Sequence, residues 1–122
     1  MKESPIFILA FETLTWILEH TRKWPKDQRF VLARRIEEAA FDFQDHLVYA
    51  AKATSPLPYL QQADAHLTRL RLYNRLALKL KLFAFGQYEY LARALDELGR
   101  LLGGWLRAKK GAPDGVRQGS GD

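Results

Sequence analysis

At 122 residues, with 48% hydrophobic and 12% aromatic side chains, the chain is one domain of ordinary size, long enough to bury a core and too apolar to be mostly disordered. The absence of cysteine removes disulfide scaffolds, thiolate metal sites and cysteine nucleophiles, and it fits a reducing cytoplasm. The net charge of +5 is unevenly spread: residues 54–85 carry five cations against one anion, whereas residues 26–53 carry five of each, so a localised basic surface is expected.

Ser4-Pro5 is a helix start, serine being a favoured N-cap and proline losing no hydrogen bond at the first helical position. Phe7, Phe11, Leu14 and Leu18 then recur at spacings of four, three and four, which predicts an amphipathic helix over about residues 5–22 with those side chains inward. The run Ile6 to Phe11 follows only Lys2 and Glu3 and is broken by Glu12, far short of the roughly 20 apolar residues of a membrane span, so it reads neither as an export signal nor as an anchor. Trp24-Pro25 ends this helix, because the residue before a proline is pushed out of the helical region. Asp27 is the expected cap of the next.

The second helix is expected over about residues 28–52, its inward face formed by Phe30, Ala33, Ile36, Ala40, Phe43, Leu47 and Ala50. Arg34, Arg35, Glu38, Asp42 and Asp45 lie opposite, and because their charges nearly cancel they read as a solvated face. Pro56 and Pro58 separate it from the third helix, about residues 58–84. Here the pattern shows two apolar stripes. Leu72, Tyr73, Leu76, Leu80 and Phe83 fall on one side, and Leu60, Ala63, Leu67, Leu70 and Leu78 on the other, with Arg71, Arg75 and Lys79 stacked turn upon turn between them. Like charges at that spacing repel. A helix of a small monomer needs one apolar face, so the second stripe beside a cationic ridge points to binding or assembly.

A turn near Gly86 leads to the fourth helix, about residues 87–109, with Tyr88, Leu91, Leu95, Leu98, Leu102 and Trp105 inward. Gly99, Gly103 and Gly104 interrupt it, each costing about 1 kcal/mol relative to alanine, and the compensation expected is close approach of another helix. The glycine-rich tail from Gly111 to Asp122 has little to bury and is expected to be disordered. Four helices joined by short turns predict an all-α, antiparallel up-down-up-down bundle.

No catalytic centre emerges from the residues. His20, His46 and His66 lack a glutamate three positions earlier, so the di-metal signature of helical bundles is missing, and neither a phosphate loop nor a nucleophile elbow occurs. No metal or cofactor is expected. The binding residues expected are Arg71, Arg75 and Lys79, with Arg69, Lys81, Arg93, Arg100 and Arg107 as extensions of the patch; Lys109 and Lys110 suit a helix C-terminus. Packing or subunit contact is expected of Gly99, Gly103, Gly104, Trp105, Leu67 and Leu78. Of the tyrosines, only Tyr73 and Tyr90 are placed to stack on bases. Cations without an aromatic insertion face argue against a membrane surface.

The run Leu98-Gly-Arg-Leu-Leu-Gly-Gly-Trp-Leu106 resembles the end of the accessory variability determinant (Avd) proteins of diversity-generating retroelements. Trp24-Pro-Lys-x-x-Arg29-Phe30 resembles the turn between their first two helices, Ala63-Asp-x-x-Leu-x-x-Leu70-Arg71 their third helix, and Ile6 to Thr21 their first, so the likeness covers about residues 4 to 109. The proline-lysine turn is also similar to the four-helix-bundle proteins encoded in ribosomal-RNA intervening sequences. The resemblance implies a bundle assembling as a homopentameric barrel. It also implies a basic surface, including Arg71 and Arg75, that binds RNA or DNA and the reverse transcriptase without chemistry of its own. The alternative is a structural protein-interaction bundle of the intervening-sequence type, with no nucleic-acid partner.

Overall fold

The computed structural model describes residues 4–28 and 30–111. Four α-helices follow one another, α1 (Pro5–Thr21), α2 (Leu32–Lys52), α3 (Leu57–Lys79) and α4 (Phe85–Lys110), with one 3₁₀ turn at Lys26–Gln28. Side-chain pairings show that neighbours run antiparallel. Arg35 meets Tyr73 and His46 meets His66 across α2 and α3, Asn74 meets Tyr88 and Arg71 meets Leu95 across α3 and α4, and Phe7 meets Trp105 and Trp16 meets Tyr90 across α1 and α4. The expected all-α antiparallel bundle is therefore present. Of the tail expected from Gly111, only Gly111 is described, as the C-cap of α4; residues 112–122 lie outside the described residues.

The core is leucine on leucine: Leu47, Leu60, Leu67, Leu70, Leu91, Leu95, Leu98 and Leu102 are all buried, joined by Ile17, Ile36 and the expected Ala33, Ala40, Phe43 and Ala50. Burial of each large aliphatic side chain is worth roughly 1.5–3 kcal/mol, which is what offsets the chain entropy lost on folding. α1 departs from its expected orientation. Ile6, Ala10, Thr13, Ile17 and Thr21 face the core, Phe7, Leu14 and Leu18 are half-buried, and Phe11 is 63% exposed. The helix is apolar around most of its circumference, so spacing alone does not select a face, and the inward side is the one whose small residues permit close packing. Ser4 is extended and its carbonyl receives the Phe7 N–H, but its hydroxyl makes no capping bond.

Two boundaries also move. α2 begins at Leu32 rather than near Gln28, because Val31 leaves the helical region (φ −117°, ψ −98°); Asp27 sits in the 3₁₀ turn instead of capping α2, and Phe30, expected inward, is 81% exposed. α3 stops at Lys79, well before Gly86. Lys81 takes the left-handed conformation (φ 62°), its N–H bonding to the Leu78 carbonyl and that of Leu82 to Ala77. This is a Schellman termination achieved without glycine. The chain then folds Phe83 back against Trp24, ring centroids 5.1 Å apart, and both are buried. Gly86 lies inside the first turn of α4, where Gln87 Oε1 accepts the Ala84 N–H at 2.9 Å.

Candidate nucleic-acid interface

α3 touches α2 on one flank and α4 on the other, and its cations divide accordingly. Toward α2, Arg69 donates to Asp42 Oδ2 at 3.0 Å and lies 3.0 Å from His66 Nδ1. Burial works against its charge, but hydrogen bonding to Asp42 and Tyr73, together with the charges of both, outweighs it and raises its pKa. One turn on, Arg35 of α2 donates to the Tyr73 hydroxyl at 3.2–3.3 Å, and this bond pulls the Tyr73 pKa down. Asp42 and Arg35, expected on a solvated face, are thus partners of α3, and Tyr73 is buried instead of lining the outer stripe or offering a stacking surface. Beside them the His46 and His66 rings lie 4.6 Å apart; burial, then the facing His46, lowers the His66 pKa. Among the described residues no group of three or more potential ligands is placed to hold a metal ion.

Toward α4 the cations have few partners. Arg71 leans over α4, where Nη2 is 3.4 Å from the Leu95 carbonyl and 3.8 Å from Asp96. Its seat is Gly99, since a Cβ there would lie 2.6 Å from Nη2. The expected close approach at Gly99 is real, but it is made by the arginine and by Leu67 at ordinary contact distance. A Cβ at Gly103 or Gly104 would meet, among the described residues, only the guanidinium of Arg107 from the same helix. Arg75 and Lys79 are exposed and form no ion pair among the described residues. With Leu72, Leu76, Leu78 and Tyr88 they line a groove of about 640 Å³. Leu72, Leu76 and Leu80 are the exposed part of the outer stripe, while Leu78 is half-buried.

The remaining expected residues lie elsewhere. Lys81 is exposed in the turn just past the end of α3. Arg93 borders a separate groove between α1 and α4 with Leu9 and Tyr90, and pairs loosely with Glu89 at 3.9 Å. Arg100 is engaged by Glu97 of its own helix. Trp105 is half-buried against Phe7, at 6.2 Å between centroids, and Tyr90, 55% exposed, stacks on Trp16 at 5.0 Å. Two residues not picked out from the sequence, Asn74 and Asp96, form a smaller cleft with Arg71, Arg75, Ala92 and Tyr88, the last expected only as an inward residue. Asn74 did carry a signal, being an amide set among inward leucines.

Comparison with known families bears on this arrangement directly. The bAvd-like family model matches residues 10–109, which takes in nearly all of the four helices. The chain belongs to the bAvd-like family. Membership implies an accessory, non-catalytic protein of a diversity-generating retroelement. A search of curated proteins finds no match to this bAvd-like chain. Among its described residues no helix is long and apolar enough to cross a membrane.

Proposed function

We propose that this bAvd-like protein is the accessory subunit that holds nucleic acid and the reverse transcriptase together during mutagenic copying of a template RNA into cDNA. The observation that carries the reading is the α3 ridge: Arg75 and Lys79 stand exposed along one groove with no ion pair among the described residues, and the lightly engaged Arg71 lines the cleft that adjoins it at Arg75. Three cations one turn apart repel one another in the free protein, and a phosphate backbone relieves that repulsion while releasing its own counterions. Such contacts position a strand without reading its sequence. Binding therefore falls steeply with salt.

The same reading assigns the exposed apolar side chains to protein contacts. Phe11 and Ile8 on α1, and Leu72 and Leu76 on α3, lie outside the core of the single bundle; burying them between copies in a homopentameric barrel, or against the reverse transcriptase, removes that apolar surface from water. The experiment is a shift assay with a structured RNA at low salt, alongside light scattering and co-purification with a reverse transcriptase of a diversity-generating retroelement. An oligomer that shifts the RNA and retains the enzyme supports the proposal. A stable oligomer indifferent to RNA supports the structural bundle of the intervening-sequence type instead, and a monomer that binds neither refutes both.

A further inference from the structure

The groove between α3 and α4 does not end at the ridge. At Arg75 and Tyr88, which border both spaces, it continues into a cleft of about 190 Å³ walled by Arg71, Asn74, Ala92 and Asp96. That is below the 300–1,000 Å³ typical of sites for drug-sized molecules, so the cleft suits a single ring. Asn74 is 1% exposed; its Nδ2 donates to the Tyr88 carbonyl at 3.1 Å, whereas its Oδ1 has no hydrogen-bond partner. Buried polar atoms are nearly always paired, and each exception asks for an explanation. An amide oxygen is an acceptor only, so what it lacks is a donor. Asp96 at the rim, its side chain 79% exposed, is a second acceptor, 3.8 Å from Arg71.

The cleft therefore combines two guanidinium groups for an anion, an aromatic wall, and two acceptors for a donor. A ligand that answers all three in one unit is a nucleotide, with phosphate, planar ring and exocyclic amino group. We propose that the cleft receives one unpaired nucleotide of the bound strand. The phosphate meets Arg71 and Arg75, the base enters beside Tyr88, and its amino group donates toward Asn74 Oδ1 and Asp96. Unpaired bases are commonly recognised by being splayed out against aromatic side chains and hydrogen-bonded at their edges. The inference rests on the groove being a nucleic-acid surface. It adds what phosphate contacts cannot give, a preference for unpaired strands and for bases bearing an amino group. Cytosine offers such a group where the other pyrimidine offers a carbonyl, which the two acceptors would oppose.

The test compares short oligocytidylate and oligouridylate of equal length by fluorescence anisotropy on the full chain at one salt concentration. The two strands have the same charge and ring size, so the ridge alone binds them equally. The expected result is about tenfold tighter binding of oligocytidylate, the discrimination one good base-edge contact supplies, with a duplex of the same length showing no such base dependence. Ala92→Leu fills the cleft without altering a charge and should bring the two strands to parity while the salt dependence stays. Asp96→Ala, at an exposed position that folding does not depend on, should shrink the preference on its own, and it decides the matter should the Leu variant misfold. Equal affinities in the parent, or a preference untouched by Asp96→Ala, would overturn the inference and leave the ridge standing. Failure of both strands to bind would remove the ridge as well.

Discussion

Arg69 and Arg71 are two residues apart on one helix and have opposite fates. Arg69 turns to α2, where Asp42 holds it at 3.0 Å beside a histidine pair, while Arg71 turns to α4, where the nearest carboxylate is 3.8 Å away and mostly exposed. One flank of α3 is a polar seam whose charges answer one another; the other is a ridge whose charges do not. The difference teaches that a cation count does not locate a binding surface. What matters is whether the neighbouring helix brings a counter-charge.

The contrast between the flanks is challenged most forcefully from the ridge side. Changing Arg71, Arg75 and Lys79 together to alanine should lower nucleic-acid affinity by at least about tenfold at low salt, since a phosphate left without its cation keeps its counterions and their release no longer favours binding. Helical content by circular dichroism should stay as in the parent, because none of the three lies in the core. On the seam side, Arg69→Ala should cost about 1 kcal/mol in denaturant unfolding, the upper range for a partly exposed pair, and leave RNA affinity within experimental error. Equal effects of the two changes on binding would erase the distinction between the flanks.

Smaller effects refine it. Gly99→Ala places a methyl 2.6 Å from the end of the Arg71 side chain, which can swing outward. Helix propensity should then raise stability by up to about 1 kcal/mol while binding holds; a large loss of stability would mean that the arginine is rigidly seated. The smallest effect belongs to His66. Its folded pKa lies below the ordinary 6.5, so the unfolded chain takes up the proton first. Its contribution is therefore complete above about pH 6.5 and is lost as pH falls from there toward the folded value. Thermal melts of His66→Gln should show a flatter pH dependence than the parent in that window. An unchanged slope would mean that His66 does not respond to its buried place opposite His46.

Much of this was legible in the sequence where spacing meets a single answer. In α2 and α4 the three-and-four spacing picks out one inward face, and Ile36, Phe43, Leu47, Leu91, Leu95, Leu98 and Leu102 are buried as it predicts, although Phe41, Tyr49, Phe85 and Tyr90 stand exposed outside it. Legibility fails where the pattern has two solutions. α1 is apolar nearly all round, so Phe7 and Phe11 looked as good an inward pair as Ala10 and Thr13. At the end of α3 the leucine-lysine alternation runs on to Leu82, and the stop comes from Lys81 in a conformation that sequence habit reserves for glycine. The cationic ridge was visible as a charge row, but not which cations would be neutralised, since that depends on Asp42 and on how α2 and α3 are aligned. Gly99 read as a helix contact because a missing side chain shows only that space is needed, not what fills it.

The central claim is that the flank of α3 facing α4, and not the flank facing α2, holds a polyanion. The most direct measurement is the slope of log affinity against log salt for a single-stranded RNA, taken for the parent, Arg75→Ala and Arg69→Ala. The expected slope is shallower by about 0.7 for Arg75→Ala, one phosphate contact on a single strand, and parental for Arg69→Ala. A parental slope for Arg75→Ala, or the same flattening in both variants, would contradict it.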